Sequence, residues 1–301
     1  MLPRIAAFPK CFMDELCVTH TMTLERWIEL GATLGVQGLE LYPGFLVSTD
    51  APYLEHIRKT LAVHGLTMPM YCHSPDFTKP DPTERAAEVT RLKRAIEVVA
   101  SFEAPGRRTC RVLSGQRRPG LGRGEGVRWT RECIGACLEH AERHRVVLAI
   151  ENHYKDNYWQ YPEFAQHLDV FLEVVQGINS PWFGVNYDPS NALLAGEDPL
   201  AVLDAVLPRV VSMHASDRHL LPGHTLEELR GVEDAVGYAS ILRHGEVGRG
   251  SNDYDAILSR LAGSGFDGWI SIEDGVNGLE ELQRSVRFLE GKLALHFPAG
   301  S

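Results

Sequence analysis

Eight short apolar segments are spaced along the whole chain, each followed by an amphipathic helical stretch or by a stretch long enough to hold one. They read as strands at 4–8 (RIAAF), 38–42 (GLELY), 66–71 (LTMPMY), 109–114 (TCRVLS), 146–151 (VVLAIE), 182–188 (WFGVNYD), 209–214 (RVVSMH) and 268–273 (GWISIE). Apolar residues three and four apart mark helices at 23–35, 82–102, 129–144, 254–265 and 278–293, as helices lying on a sheet require. Regular alternation of strand and helix demands parallel strands joined by crossovers, and eight such units are the number that closes on itself. An open doubly wound sheet is the competitor, but no GxGxxG follows the first strand. The expected fold is therefore α/β, a single-domain (β/α)8 TIM barrel over residues 1–301. Two stretches break the spacing and read as insertion loops, the glycine- and arginine-rich 115–126 and the longer 215–253.

The last four strands end alike. Side chains alternate across a strand, so residues two apart share a face. Leu148 and Ile150 oppose Ala149 and Glu151; Val185 and Tyr187 oppose Asn186 and Asp188; Val211 and Met213 oppose Ser212 and His214; Ile270 and Ile272 oppose Ser271 and Glu273. In a barrel the apolar face packs under the helices. Glu151, Asp188, His214 and Glu273 then meet at the carboxyl-terminal mouth, where barrel enzymes place their chemistry. Three carboxylates gathered that closely repel one another unless a cation compensates. Three oxygen donors and one imidazole suit one divalent metal of fairly hard character, Mn²⁺ first, with Mg²⁺, Co²⁺ and Zn²⁺ as alternatives.

Composition narrows the partners. With 40 acidic against 30 basic residues, the formal charge of −10 disfavours binding to nucleic acid or an acidic membrane surface. No apolar run reaches the roughly 20 residues of a membrane span, and MLPRIAAFPK lacks the apolar core of a signal peptide. Six scattered cysteines without a CxxC pair fit a reduced, cytoplasmic setting, with Cys133 and Cys137 packing one turn apart on a helix.

The stretches IENH (150–153), DPSN (188–191), HASD (214–217), GRGSNDY (248–254) and WISIE (269–273) together resemble the xylose isomerase-like (β/α)8 superfamily, the sugar phosphate isomerase/epimerase group that also holds the endonuclease IV-type enzymes. The resemblance implies one divalent metal on Glu151, Asp188, His214 and Glu273, with the two glutamates also carrying protons on either face of a small carbohydrate substrate. It implies a sugar isomerase or epimerase that abstracts a proton next to a carbonyl and passes through an enediolate. Members often form a homo-oligomer, for which 115–126 and 215–253 are the candidate interfaces. Three positions depart from the ketose epimerases of the group: Asn191 replaces a histidine, Asn157 a glutamate and Leu220 an arginine.

Further candidates lie nearby. His153, beside the fifth strand, is a base or an orienting group. His73, ending the third strand, is a candidate substrate contact. Lys155 is either a solvated lysine or a hand for a carboxylate, phosphate or sugar hydroxyl, and Tyr158 and Trp159 either wall a sugar or anchor their loop. Asp217 orients a ligand or a loop, and Asn191 and Asp217 are counted with His73, Lys155 and Trp159 as candidate substrate-binding residues. The departures keep open a metal-dependent β-elimination lyase (a deglycosidase) or dehydratase acting on 3-oxo-glycosides. A trinuclear DNA-repair site is disfavoured, since it needs more histidines than Asn191 and Ser114 leave. A non-catalytic sugar- or protein-binding barrel is the last alternative.

Overall fold

A computed structural model describes residues 3–156, 158–229 and 240–298; Asn157 and the middle of the 215–253 insertion, 230–239, lie outside the described residues. The barrel strands are β1 (Arg4–Ala7), β2 (Gly38–Leu39), β3 (Met70–Cys72), β4 (Arg108–Val112), β5 (Val146–Glu151), β6 (Phe183–Tyr187), β7 (Val210–Ala215) and β10 (Trp269–Ile272). A small antiparallel hairpin, β8 (Arg218–Leu220) with β9 (Leu242–His244), lies between the last two. The main sheet runs β2-β1-β10-β7-β6-β5-β4-β3, all parallel. Its two ends meet through bridges Gly38–Thr67 and Leu41–Tyr71, so the eight strands form a nearly closed (β/α)8 barrel.

The weakest seam has a local cause. Pro69 has no N–H to donate, so the stretch expected at 66–71 pairs regularly only from Met70 onward. Leu39, Leu41 and Cys72 still donate across the seam, to Thr67, Met70 and Leu41, at 2.7–3.1 Å. Pro43 ends the second segment in the same way.

Aspartates set where helices begin. Asp50, Asp81, Asp188, Asp198 and Asp253 each accept a backbone N–H from the first turn of the helix that follows. Three of them stand directly before a proline whose missing donor costs nothing there. The helix expected at 129–144 starts earlier, at Arg123. The irregular stretch after β4 therefore ends at Gly122, and residues 123–126 are helical. Its first residues are tied down as well: Gln116 donates to both oxygens of Asp76, and Arg118 pairs with the same carboxylate. Gly115 is required here, because its φ of +119° is unfavourable for a side chain and an added Cβ would lie 2.6 Å from Thr78 Oγ1.

Apolar side chains between the sheet and its helices form one continuous core, including Trp27, Phe102, Ile134, Phe171 and Leu289. Cys133 and Cys137 are buried in it and, like the other four cysteines, unpaired. No described helix is long and apolar enough to cross a membrane.

Candidate metal centre at the barrel mouth

Glu151 closes β5, Asp188 follows β6, His214 lies in β7 and Glu273 follows β10. Donor atoms from all four lie within 4.8 Å of one another, and all four residues are buried. His214 Nδ1 is 3.1 Å from both Glu151 Oε1 and Glu273 Oε2. The layer beneath holds Ala149, Asn186, Ser212 and Ser271, all buried, with Ser212 Oγ donating to Asn186 Oδ1 at 2.8 Å.

The cluster crowds negative charge into a buried place. Burial and the charges of Glu151 and Glu273 push Asp188 up to about 7. Burial alone would lower His214, but Glu40, Glu151 and Glu273 outweigh it and hold the imidazole well above its usual value. Burial would raise Glu151, yet the charges of His214 and Arg111 hold it at about 2. Glu273 is likewise held well below the carboxylate range, against burial, by Lys10 and His214. A proton trapped on the imidazole thus does part of the compensation that three crowded carboxylates need. Three carboxylates and a nitrogen converging on one point form a donor set for a divalent ion.

Three partners of this cluster were not read from the sequence. Glu40, fully buried just past β2, places Oε2 3.0 Å from His214 Nε2, the arrangement that fixes which ring nitrogen faces a metal. Arg111, buried within β4, donates from Nη1 to Glu151 Oε2 at 2.9 Å and from Nη2 to Ser74 Oγ at 2.6 Å. Lys10, after β1, donates to Glu273 Oε1 at 3.1 Å. Burial would lower Lys10, but Glu273 raises it above the ordinary lysine range. A charge inside an apolar strand was the available signal for the first two, since such a charge is seldom buried without a partner. Lys10 opens the short 3-10 turn Lys10–Phe12, outside any strand, and carried none.

The other sequence candidates divide. Asn191 joins the cluster: its side-chain amide donates to Glu151 Oε1 at 3.1 Å and its backbone to Asp188 Oδ1 at 3.0 Å. His153 and Lys155 line a small pocket beside Glu273, together with Phe8, Lys10, Tyr42, Cys72, Arg111, Tyr154 and Asp156. Burial, more than its neighbours' charges, lowers His153 to about 4, so the ring is neutral, and its Nδ1 is buried without a partner. His73 is not on the wall of that pocket; Cys72, one residue earlier, points inward and donates to Glu40 Oε2. Strand parity explains this, because neighbours in a strand face opposite ways. Trp159 is half-buried in the loop above, its backbone held by Asp156 O, and Tyr158 is 62 % exposed.

Asp217 is turned away from the mouth. Its two oxygens accept the backbone N–H groups of Arg218, Gly248, Gly250 and Asn252 at 2.9–3.2 Å, fastening the GRGSN turn. Gly250 permits this approach, since a Cβ there would lie 2.0 Å from Asp217 Oδ1. Glu163 fastens the aromatic loop: its Oε1 accepts from Ser114 N and Oγ at 2.6 and 2.5 Å. Burial pushes its carboxyl up to about 8.

Comparison with known proteins gives a consistent picture of the fold. A family model described as xylose isomerase-like TIM barrel matches residues 28–292. Among solved structures, a D-tagatose 3-epimerase-like protein is similar, at 16% identity and a TM-score of 0.74 over 97% of each chain. The IOLI protein with a bound zinc atom follows at 15% identity and 0.73, over 98% of this chain and 99% of that one. The probable 3-DHS dehydratase of Bacillus anthracis, involved in petrobactin synthesis, aligns at 16% identity and 0.71, over 95% of this chain and 98% of its own. No curated protein matches the chain by sequence.

Proposed function

The chain belongs to the xylose isomerase-like TIM barrel family, and from that premise we propose that it is a divalent-metal-dependent sugar isomerase or epimerase. The observation that carries this reading is the convergence of Glu151, Asp188, His214 and Glu273 within 4.8 Å. These four would hold the ion, Mn²⁺ first, with Mg²⁺, Co²⁺ and Zn²⁺ as alternatives. Once bound, the ion supplies positive charge that acidifies a C–H next to the substrate carbonyl.

The chain's own residues move the proton. Glu151 closes β5 and Glu273 follows β10, so the two carboxylates reach the cluster from different strands. One carboxylate removes the proton to leave an enediolate, and the other returns it to the opposite face or the neighbouring carbon. Arg111 and Lys10 each hold one oxygen of a glutamate, at 2.9 and 3.1 Å, which fixes how each carboxylate is turned in the cluster. The rings of Phe8 and Tyr42 line the pocket and limit water around the exposed carbanion.

The experiment is solvent-deuterium incorporation into a panel of aldoses, ketoses and 3-oxo-glycosides with Mn²⁺ added. Glu151→Gln and Glu273→Gln should each abolish exchange more completely than His153→Ala. The reverse order moves the base to His153. That residue also motivates the second reading, β-elimination from a 3-oxo-glycoside or a dehydration. A neutral imidazole on the pocket wall, its Nδ1 buried without a partner, is suited to handling a leaving group's proton. Release of the aglycone from a 3-oxo-glycoside, without epimer, selects elimination.

A further inference from the structure

We infer that the substrate carries an anionic group, a carboxylate or a phosphate, seated by Lys155 together with Arg111 and Lys10 in the pocket beside Glu273. The inference rests on reading the four-residue cluster as the reaction centre, and it adds the chemical class of what binds next to it.

The wall of this pocket is unevenly charged. Three cations line it, Lys10, Arg111 and Lys155, against two carboxylates, Glu273 and Asp156. The surplus grows once a divalent ion offsets the cluster that includes Glu273. Lys10 and Arg111 have a carboxylate each, but neither is exhausted. Lys10 places one of its three donors on Glu273. Arg111 is only 4% exposed, yet its Nε is buried without a partner.

Lys155 is the decisive residue. It is half-buried on the wall and makes no hydrogen bond or ion pair among the described residues. Its neighbour Asp156 does not serve it, because Asp156 Oδ1 accepts from Tyr158 N at 3.0 Å and Oδ2 faces the Tyr42 hydroxyl at 3.5 Å. The unspent polar atoms of Lys10, Lys155 and Arg111 are all donors. A neutral sugar presents hydroxyls that both donate and accept, whereas a carboxylate or phosphate only accepts. Donors without matching acceptors fit the second kind of group, and ammonium or guanidinium donors bind it through the stronger charge-assisted bonds.

The test is calorimetric binding to the Mn²⁺-loaded enzyme of D-glucose, D-glucuronate and D-glucose 6-phosphate, alongside the deuterium exchange described above. At least one anionic sugar should bind about 10- to 100-fold more tightly than glucose, the span expected for charge-assisted contacts, and the tighter of the two identifies the group. Lys155→Gln should remove most of that preference, and Lys155→Arg should retain it. In turnover the Gln variant should raise KM for the anionic substrate with little change in kcat. Equal binding of all three sugars, or a preference that survives Lys155→Gln, overturns the inference even if proton exchange is found. Lysine-dependent anion binding without any exchange upholds the anion seat and overturns the proton-transfer reading instead.

Discussion

Replacing Glu40 by glutamine isolates the least obvious part of the metal centre. Glu40 Oε2 and His214 Nε2 are 3.0 Å apart and both residues are fully buried, so the imidazole is oriented in a medium where one hydrogen bond counts heavily. The substitution keeps the shape, and an amide oxygen in the same place still accepts the Nε2–H. What is lost is the charge. A hydrogen bond to a charged group contributes roughly 1.5–3 kcal/mol and a neutral one roughly 0.5–1.5, so the ring's orientation loses about 1.25 kcal/mol, or roughly eightfold. The ring nitrogen facing the cluster also becomes a poorer donor, and loss of such an outer partner typically weakens a metal by about 10- to 100-fold. Calorimetric titration of Mn²⁺ into the metal-stripped Glu40→Gln and parent proteins measures this directly. Affinity should fall by about 10- to 100-fold with the melting temperature nearly unchanged. Affinity within about threefold of the parent, in a folded variant, would refute the claim that Glu40 sets the imidazole for the ion.

Two further predictions follow from protons held in buried places. The proton on His214, raised well above its usual value, and the one on Asp188, held up to about 7, must both leave when a cation binds. Metal affinity should therefore rise with pH through neutrality, and titrations in buffers of different ionisation enthalpy at pH 6 should show at least one proton released per ion; no release would refute the assignment. Glu163 tests the aromatic loop. Its carboxyl ionises at an ordinary 4.5 when unfolded but only near 8 in the fold, so the stability it allows below pH 4.5 is lost as pH rises toward 8. That gap corresponds to a ceiling of about 5 kcal/mol. Glu163→Gln keeps an acceptor for Ser114 and should flatten the pH dependence, raising the melting temperature at pH 9 relative to the parent while leaving pH 5 little changed. Parallel melting curves at both pH values would contradict it.

The strands of the barrel were legible because alternation is local: each apolar run carries its own period, and eight of them leave little choice of closure. The four cluster residues were legible for the same reason, each being the polar end of an otherwise alternating strand. Glu40 and Arg111 share that inward face but lie one step inside their segments, where GLELY and TCRVLS read as ordinary strands with a stray charge. Their meaning is a relation between strands. Glu40 matters because its oxygen reaches His214, 174 positions further along the chain, and Arg111 because it reaches Glu151 on the neighbouring strand. The same logic explains His73. It follows Cys72, the last residue of the third strand, and because Cys72 turns inward to donate to Glu40, the neighbouring side chain turns the other way. The early start of the helix at Arg123 is a related case, since glycines at 122, 124 and 126 carry no apolar period to count. The sequence therefore brings out the four residues of the cluster and not the residues that support them. Donors sit at strand ends, where a single chain segment decides their direction. Supporting charges are defined only when two distant segments meet, as Arg111 meets Glu151 and Lys10 meets Glu273.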